Sequence, residues 1–411
     1  MTSEERRELR FQRRKARREV AKASLRAVSD DFNTVFSYGN LYDAYRKCRR
    51  GVSWKASVQK YIVQAPINVF SAWQRLQNGT YRSPGFFEFD IFERGKPRHI
   101  RSTVISERVV QRCLCDNALV PMLSRSFIYD SGASLEGKGY DFAIQCLTQH
   151  LQEHYRRYGT EGYVLLFDFS KFFDRISHAV VKADLHRKFG DRKIIALTEH
   201  LIDAFGAVGM GLGSQISQVL ALASANRLDH FIKEVCRIRG YGRYMDDGYL
   251  LHPDREYLQH CLDGIKGICD ELGITLNLRK TQITKLSRGF TWLKVRFYLS
   301  DNGKVVKKIC KRSITRMRRK MKKLHVRYRN GQITMAEIQN MWQSWYHGYA
   351  ERFAAYHTRN NMEVLFARLF IGGCNNAIHQ SDQRQLCDSG GHCGAVLCLP
   401  PDQEQSYRDL P

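Results

Sequence analysis

Between Ser106 and Leu123 the apolar residues Val109, Val110, Cys113, Leu114 and Leu119 recur at helical spacing, which predicts a helix there. The pattern changes at Tyr163-Val164-Leu165-Leu166-Phe167, an unbroken apolar run that predicts a short, fully buried strand ending in Asp168. Gly132 to Gly139 reads as a loop leading into a helix that reaches about Tyr158. Upstream, residues 40–80 look helical, with Tyr42, Tyr45, Trp54, Tyr61, Phe70 and Trp73 as apolar anchors and Asn78-Gly79 as the closing turn. Phe86 to Ile100 alternates like a hairpin that turns at Arg94-Gly95-Lys96-Pro97. Downstream come a helix near 178–205, a Gly-rich loop at 209–213, a helix from about 215 to 237, a hairpin, a helix at 255–272, and strands around 281–285 and 290–298. Helices mixed with short strands in this way predict an α+β fold with an antiparallel sheet.

Two segments stand out by charge. Residues 1–28 carry ten Lys or Arg and four Glu, which suits a polar helix or a mobile basic arm. Residues 304–329 carry thirteen Lys or Arg and no acid. Within them Ile314, Met317, Met321, Leu324 and Tyr328 fall three or four apart, so the segment reads as an amphipathic helix with Ser313 as N-cap. Thr334 and Glu337 form a capping-box pattern for a following helix, whose stripe is Ile338, Met341, Trp342, Trp345, Tyr349 and Phe353. Beyond Leu369 the charge reverses and Pro400-Pro401 interrupts, so 372–411 reads as a poorly ordered tail.

The whole chain of 411 residues has 66 Lys plus Arg against 41 acids, a net charge of +25 that favours a polyanionic partner. No run of 18 apolar residues exists, which argues against a membrane span, and the N-terminus lacks the apolar core of a secretion signal. The twelve Cys contain no CxxC pair and read as reduced thiols of a cytoplasmic protein. Cys387, His392, Cys393 and Cys398 offer zinc-ligand chemistry, though their spacing matches no standard knuckle.

The candidate chemistry lies in Tyr244-Met245-Asp246-Asp247, which reads as a hairpin tip between Arg243 and Gly248-Tyr249-Leu250-Leu251. Neighbouring carboxylates repel unless a cation sits between them, so the pair suggests a divalent metal site; the plain alternative is a solvated turn. Nucleotidyl transfer uses two metals about 4 Å apart, which requires carboxylates converging from separate strands. Asp168 at a strand end, with Asp246-Asp247 on a neighbouring hairpin, would supply them.

Several segments in order resemble those of a known family. Phe167-Asp168-Phe169-Ser170-Lys171-Phe172-Phe173-Asp174-Arg175-Ile176 is similar to the first catalytic motif of bacterial reverse transcriptases. Gly209-Met210-Gly211-Leu212-Gly213-Ser214-Gln215-Ile216-Ser217-Gln218 resembles the second, Tyr-Met-Asp-Asp the third, and Leu276-Asn277-Leu278-Arg279-Lys280-Thr281 the fourth. Gly289-Phe290-Thr291-Trp292-Leu293 resembles the primer grip, and Lys96-Pro97-Arg98 with Arg108-Val109-Val110-Gln111 the fingers motifs. The likeness spans about residues 85–300 and is nearest to the retron, diversity-generating and phage-defence types. Gly211 stands where Pro is usual, Leu212 where some relatives carry Gln, and Lys294 where Gly is common.

The resemblance implies a right-hand polymerase that copies RNA into DNA. Its domains would be a basic extension at 1–34, fingers at 35–160, palm at 161–300, a helical basic thumb at 301–371 and the tail. Asp168 and Asp246 would bind two Mg²⁺ ions (Mn²⁺ as substitute), with Asp247 and Phe169 beside them. Lys280 would act as general acid. Lys96 and Arg98 would clamp the triphosphate, Phe173 would exclude a 2′-hydroxyl, and Gly213 and Gln218 would wall the dNTP. Lys311, Arg312, Arg316, Arg319, Lys320, Lys323 and Arg327 would track the nucleic-acid backbone. The implied partners are an RNA template, a dedicated noncoding RNA, the DNA product and dNTPs, with no membrane. No endonuclease module follows the thumb, so phage defence is the expected setting, ahead of diversification or a retron-like role. An RNA-dependent RNA polymerase, opposed by Phe173, and a silent RNA-binding scaffold, opposed by the intact acids, are the alternatives of other kinds.

Overall fold

Val164 to Phe167 are all buried, and the reason is their place in the middle of a sheet. In the computed structural model, which describes residues 1–93, 96–353 and 355–371, the chain forms two units, Met1–Cys310 and Lys311–Pro411. The turn at Arg94-Gly95, the Lys96 side chain, and the tail with Cys387, His392, Cys393 and Cys398 lie outside the description.

The first unit begins with α1 (Ser3–Ser29), capped at Thr2 by a capping box. Residues 40–80 hold three helices, Tyr38–Cys48, Ala56–Val63 and Ala65–Gln77, where the sequence pattern suggested one helical stretch; Pro66 opens the third. β1 (Phe86–Glu93) and β2 (Lys96–Thr103) pair as the expected hairpin, Phe86 opposite Thr103. The helix from Ile105 widens into a π turn at Cys115–Leu119, just before Pro121, whose ring cannot accept the preceding regular turn.

Four antiparallel strands form the central sheet: β3 (Tyr163–Asp168), β4 (Tyr241–Tyr244), β5 (Asp247–His252) and β6 (Gln282–Lys285), in the order β4-β5-β3-β6. β3 has neighbours on both sides, and the helices Tyr140–Tyr158 and Arg255–Glu271 bury Leu147, Leu151, Leu258 and Ile265 in the adjoining core. An apolar run without alternation is the result.

The long helix expected near 178–205 is two, His178–Lys188 and Arg192–Asp203. Asp191 caps the second by accepting from the Lys193 and Ile194 amides, and the Gly190 amide donates to Asp30 instead of continuing the helix. The helix expected over 215–237 ends at Ser224, restarts at Asn226–His230 and closes in a π turn at Phe231–Val235. The segment read as a strand over 290–298 is a hairpin of β7 (Phe290–Trp292) and β8 (Val295–Leu299), because Leu293 and Lys294 both take positive φ. β9 (Val305–Ile309) completes that sheet, so the first part of the basic segment 304–329 is strand.

In the second unit the basic helix runs Lys311–Arg329, with Ser313 in its first turn and not at its cap. Met317, Met321 and Leu324 pack with Ile338, Met362, Phe366 and Phe370. The helix Met335–Tyr346 carries the Thr334–Glu337 capping box, while Tyr349 and Phe353 fall beyond its end. A third helix, Tyr356–Phe370, stacks Phe366 on Trp342 at 4.7 Å between ring centres.

Candidate active site

Strand register brings the acids together. Asp168 is the last residue of β3 and lies opposite Asp247, the first of β5. The β4–β5 hairpin turns through Met245-Asp246, and the Phe169 amide donates to the Asp246 carbonyl at 3.1 Å. Three carboxylates from two segments far apart in sequence thus share one strand end. Burial, then the charges of Asp246 and Asp168, push Asp247 up to about 7, and it hydrogen-bonds Asp168. Asp246 is raised by burial and by Asp168, with Lys280 and Arg98 opposing.

Asp168 is held from two directions. Lys280 Nζ donates to Oδ2 at 2.6 Å and Asn277 Nδ2 to Oδ1 at 3.0 Å, while the Asn277 amide donates to the Asp168 carbonyl at 2.7 Å. Burial pulls Lys280 down, but its bond to Asp168 and the acids around it outweigh that, and it stays above its ordinary value. Asn277 belongs to the motif Leu276–Thr281 but has no separate task in a reading of the residues alone; its place three residues before Lys280 is the signal that could have found it.

The turn itself is braced from beneath. Met245 has φ +53°, a conformation that costs a non-Gly residue energy. Arg243, 1% exposed, donates from its guanidinium to the Met245 carbonyl at 2.8 Å. The same guanidinium grips Asp229 through two bonds, 2.8 and 2.6 Å, and the Tyr241 hydroxyl donates to Asp229 at 2.5 Å. Buried charges survive only when paired and hydrogen-bonded in this way. Asp229 lies outside every motif of the sequence, and Arg243 reads there only as a flank of Tyr244-Met245-Asp246-Asp247.

The remaining candidates of the first unit lie outside this core. Phe169 buries its ring, so only its backbone can face the acids. Phe173 is half-buried and packs on the cluster of Ala133, Leu222 and Met245, beside the turn. Arg98 sits on β2 opposite Ile91, exposed, and close enough to lower Asp246. Gly213 has φ +112°, and a Cβ there would lie 3.1 Å from the Arg101 carbonyl, so the backbone that approaches it is the protein's own β2. Gln218 accepts from the Ser134 hydroxyl at 3.1 Å. In the second unit Lys311, Arg312, Arg316, Arg319, Lys320, Lys323 and Arg327 are all exposed.

As a donor set, clustered carboxylate oxygens with raised affinity for protons suit a hard divalent cation, which would relieve the same repulsion. Among the described residues no group of three or more His, Cys, Asp or Glu is arranged, as it stands, to hold a metal ion. No helix among them is long and apolar enough to cross a membrane.

Residues 93–297 match the family model of the reverse transcriptase (RNA-dependent DNA polymerase). No curated protein is matched by the sequence. Among solved structures the chain is similar to telomerase from Candida albicans in complex with a TWJ fragment of telomeric RNA, at 13% identity over 55% of this chain and 46% of that one, with a TM-score of 0.45. It is also similar to apo telomerase from Candida tropicalis truncated from its C-terminal domain, at 14% identity over 59% of this chain and 60% of that one, with a TM-score of 0.42. The chain spans less than two thirds of either. Domains of the matched family take an RNA template, make DNA and use divalent metal ions.

Proposed function

With a reverse transcriptase domain of right-hand polymerase fold in residues 93–297 as the premise, we propose that the chain extends a 3′-hydroxyl primer on RNA at the corner formed by Asp168, Asp246 and Asp247. The observation that carries this is the register of Asp168 against Asp247, with Asp246 on the adjoining turn. Asp168 and Asp246 would hold the divalent ions, Mg²⁺ by their hard oxygen chemistry with Mn²⁺ as substitute, and Asp247 would support them. When bound, the ions lower the pKa of the attacking hydroxyl and brace the leaving pyrophosphate.

The chain's own groups then have distinct tasks. Lys280, which donates to Asp168 and is exposed, would give a proton to pyrophosphate. Arg98 and Lys96 would bind the triphosphate, and Phe173, packed beside Met245, would stand under the sugar. Gly213 and Gln218 would shape the wall of the dNTP site, and the helix Lys311–Arg329 would follow the nucleic-acid backbone as the thumb. The domain limits are those read from the sequence, with fingers before residue 160 and palm to 300.

Substitution of Asp246→Ala together with Asp247→Ala should abolish DNA synthesis on an RNA template and leave RNA affinity nearly unchanged. Persisting synthesis would refute the site. Phe173→Val should admit rNTPs, and a wild-type preference for rNTPs would turn the enzyme into an RNA polymerase. For the setting, a cytoplasmic enzyme of phage defence with a dedicated noncoding RNA, the support is the motif resemblance. Sequencing the nucleic acid that copurifies tests it: DNA joined to its RNA template would point to a retron-like role, and mutated copies of a gene segment to diversification.

A further inference from the structure

The basic helix α1 has no task in this scheme, yet it walls a groove of about 920 Å³ in the first unit. Arg14, Arg18, Lys22 and Arg26 line it from one side, each four residues from the next, so they form a single ridge with a cation every ~6 Å. Like charges at this spacing weaken a helix. The opposite wall adds Arg125 and Lys188, and the only acid in the lining is Glu19. None of these six cations makes an ion pair or hydrogen bond through its side chain among the described residues. The groove is also anchored: Asp30, just after α1, accepts from the Gly190 and Asp191 amides, and the Phe32 amide donates to Asp191.

We propose that this groove binds an RNA strand, at a place separate from the catalytic carboxylates. The two facing cationic walls, of which only Lys188 has an acid (Asp184) near enough to feel its charge, fit a polyanion that runs between them, and the ridge matches the regular spacing of charges along an extended strand. Phe11, exposed at the groove's end, offers a ring on which a base can stack. A membrane surface fits less well, because Arg13 and Arg17 extend the charge to another face of α1 and leave no broad apolar face to enter lipid. That the polyanion is RNA rests on the reverse transcriptase reading; that a polyanion binds there does not.

The test uses the full chain and a fluorescent single-stranded RNA, read by anisotropy without dNTPs, so failure of synthesis cannot be mistaken for failure of the groove. Arg18→Glu with Lys22→Glu should weaken binding about tenfold or more and lower the slope of log affinity against log salt by about 1.4, or ~0.7 for each lost contact. Arg125→Glu with Lys188→Glu, on the opposite wall, should do the same and keeps the test valid should the first pair unfold α1. Arg13→Glu with Arg17→Glu removes the same charge from outside the groove and should have a far smaller effect. Equal losses from the inner and outer pairs would mean diffuse attraction and overturn the proposal. So would unchanged affinity in both groove variants, or loss of binding to phosphatidylserine vesicles with RNA affinity intact.

Discussion

At the end of β3 and β5 three carboxylates crowd into a half-buried corner, whereas along the helix Lys311–Arg329 the cations stand in open water. The corner is held by a few short bonds whose donors have no substitutes: Lys280 and Asn277 on Asp168, and Arg243 on the Met245 carbonyl. The helix is held by its other face, through Met317, Met321 and Leu324, and its charges contribute nothing to that packing. One region therefore concentrates its chemistry in single contacts under low dielectric, and the other spreads it over many screened ones. Single substitutions should act almost all-or-none in the first and by degrees in the second.

The largest expected effect comes from beneath the turn. Asp229→Ala would leave Arg243 charged, buried and unpaired, a loss of about 3–5 kcal/mol that thermal unfolding should register. Synthesis should fall with it. Replacing both partners by apolar residues, Asp229→Leu with Arg243→Met, should recover most of the stability because no lone charge remains. It should not recover synthesis, since the Met245 carbonyl still lacks its donor and Met245 keeps its strained φ. Full activity in the double variant would show that the turn needs no brace.

Asn277→Ala is the next step down. It removes one bond to Asp168 but leaves Lys280 and the backbone contact in place. A hydrogen bond to a charged group contributes about 1.5–3 kcal/mol, so single-turnover synthesis should slow at least about tenfold while the melting temperature moves little. A melting shift as large as that of Asp229→Ala would mean that Asn277 supports the fold and not the acid.

These two positions also mark where the sequence was legible and where it was not. β3 could be read because five apolar residues in a row have few other uses, and the Met245-Asp246 turn because paired acids break the pattern around them. Asp229 could not, since its partner is fourteen residues away and only folding makes the pair. The break at Phe189-Gly190-Asp191 depends on Asp30, about 160 residues upstream. The β7–β8 turn uses Leu293 and Lys294, neither of which is a turn former, so nothing local announces it. β9 reads as part of the helix because its Lys residues look like more of the same basic run.

The smallest effect belongs to the exposed helix, and it sharpens the comparison most. Lys320→Ala with Lys323→Ala removes two cations that touch none of the buried packing, so melting should be unchanged within about 0.5 kcal/mol. Affinity for an RNA–DNA duplex should fall modestly, and the slope of log affinity against log salt should shrink by about 1.8, or ~0.9 for each phosphate contact on a regular duplex. Met321→Ala, one residue from Lys320 but fully buried, should do the reverse: a destabilisation of about 2–5 kcal/mol from the cavity it leaves, with the charge contacts intact wherever the helix remains folded. If instead the lysine pair abolished binding outright at every salt concentration, the cations would be working as specific contacts like those around Asp168, and the contrast between a concentrated and a distributed site would fail.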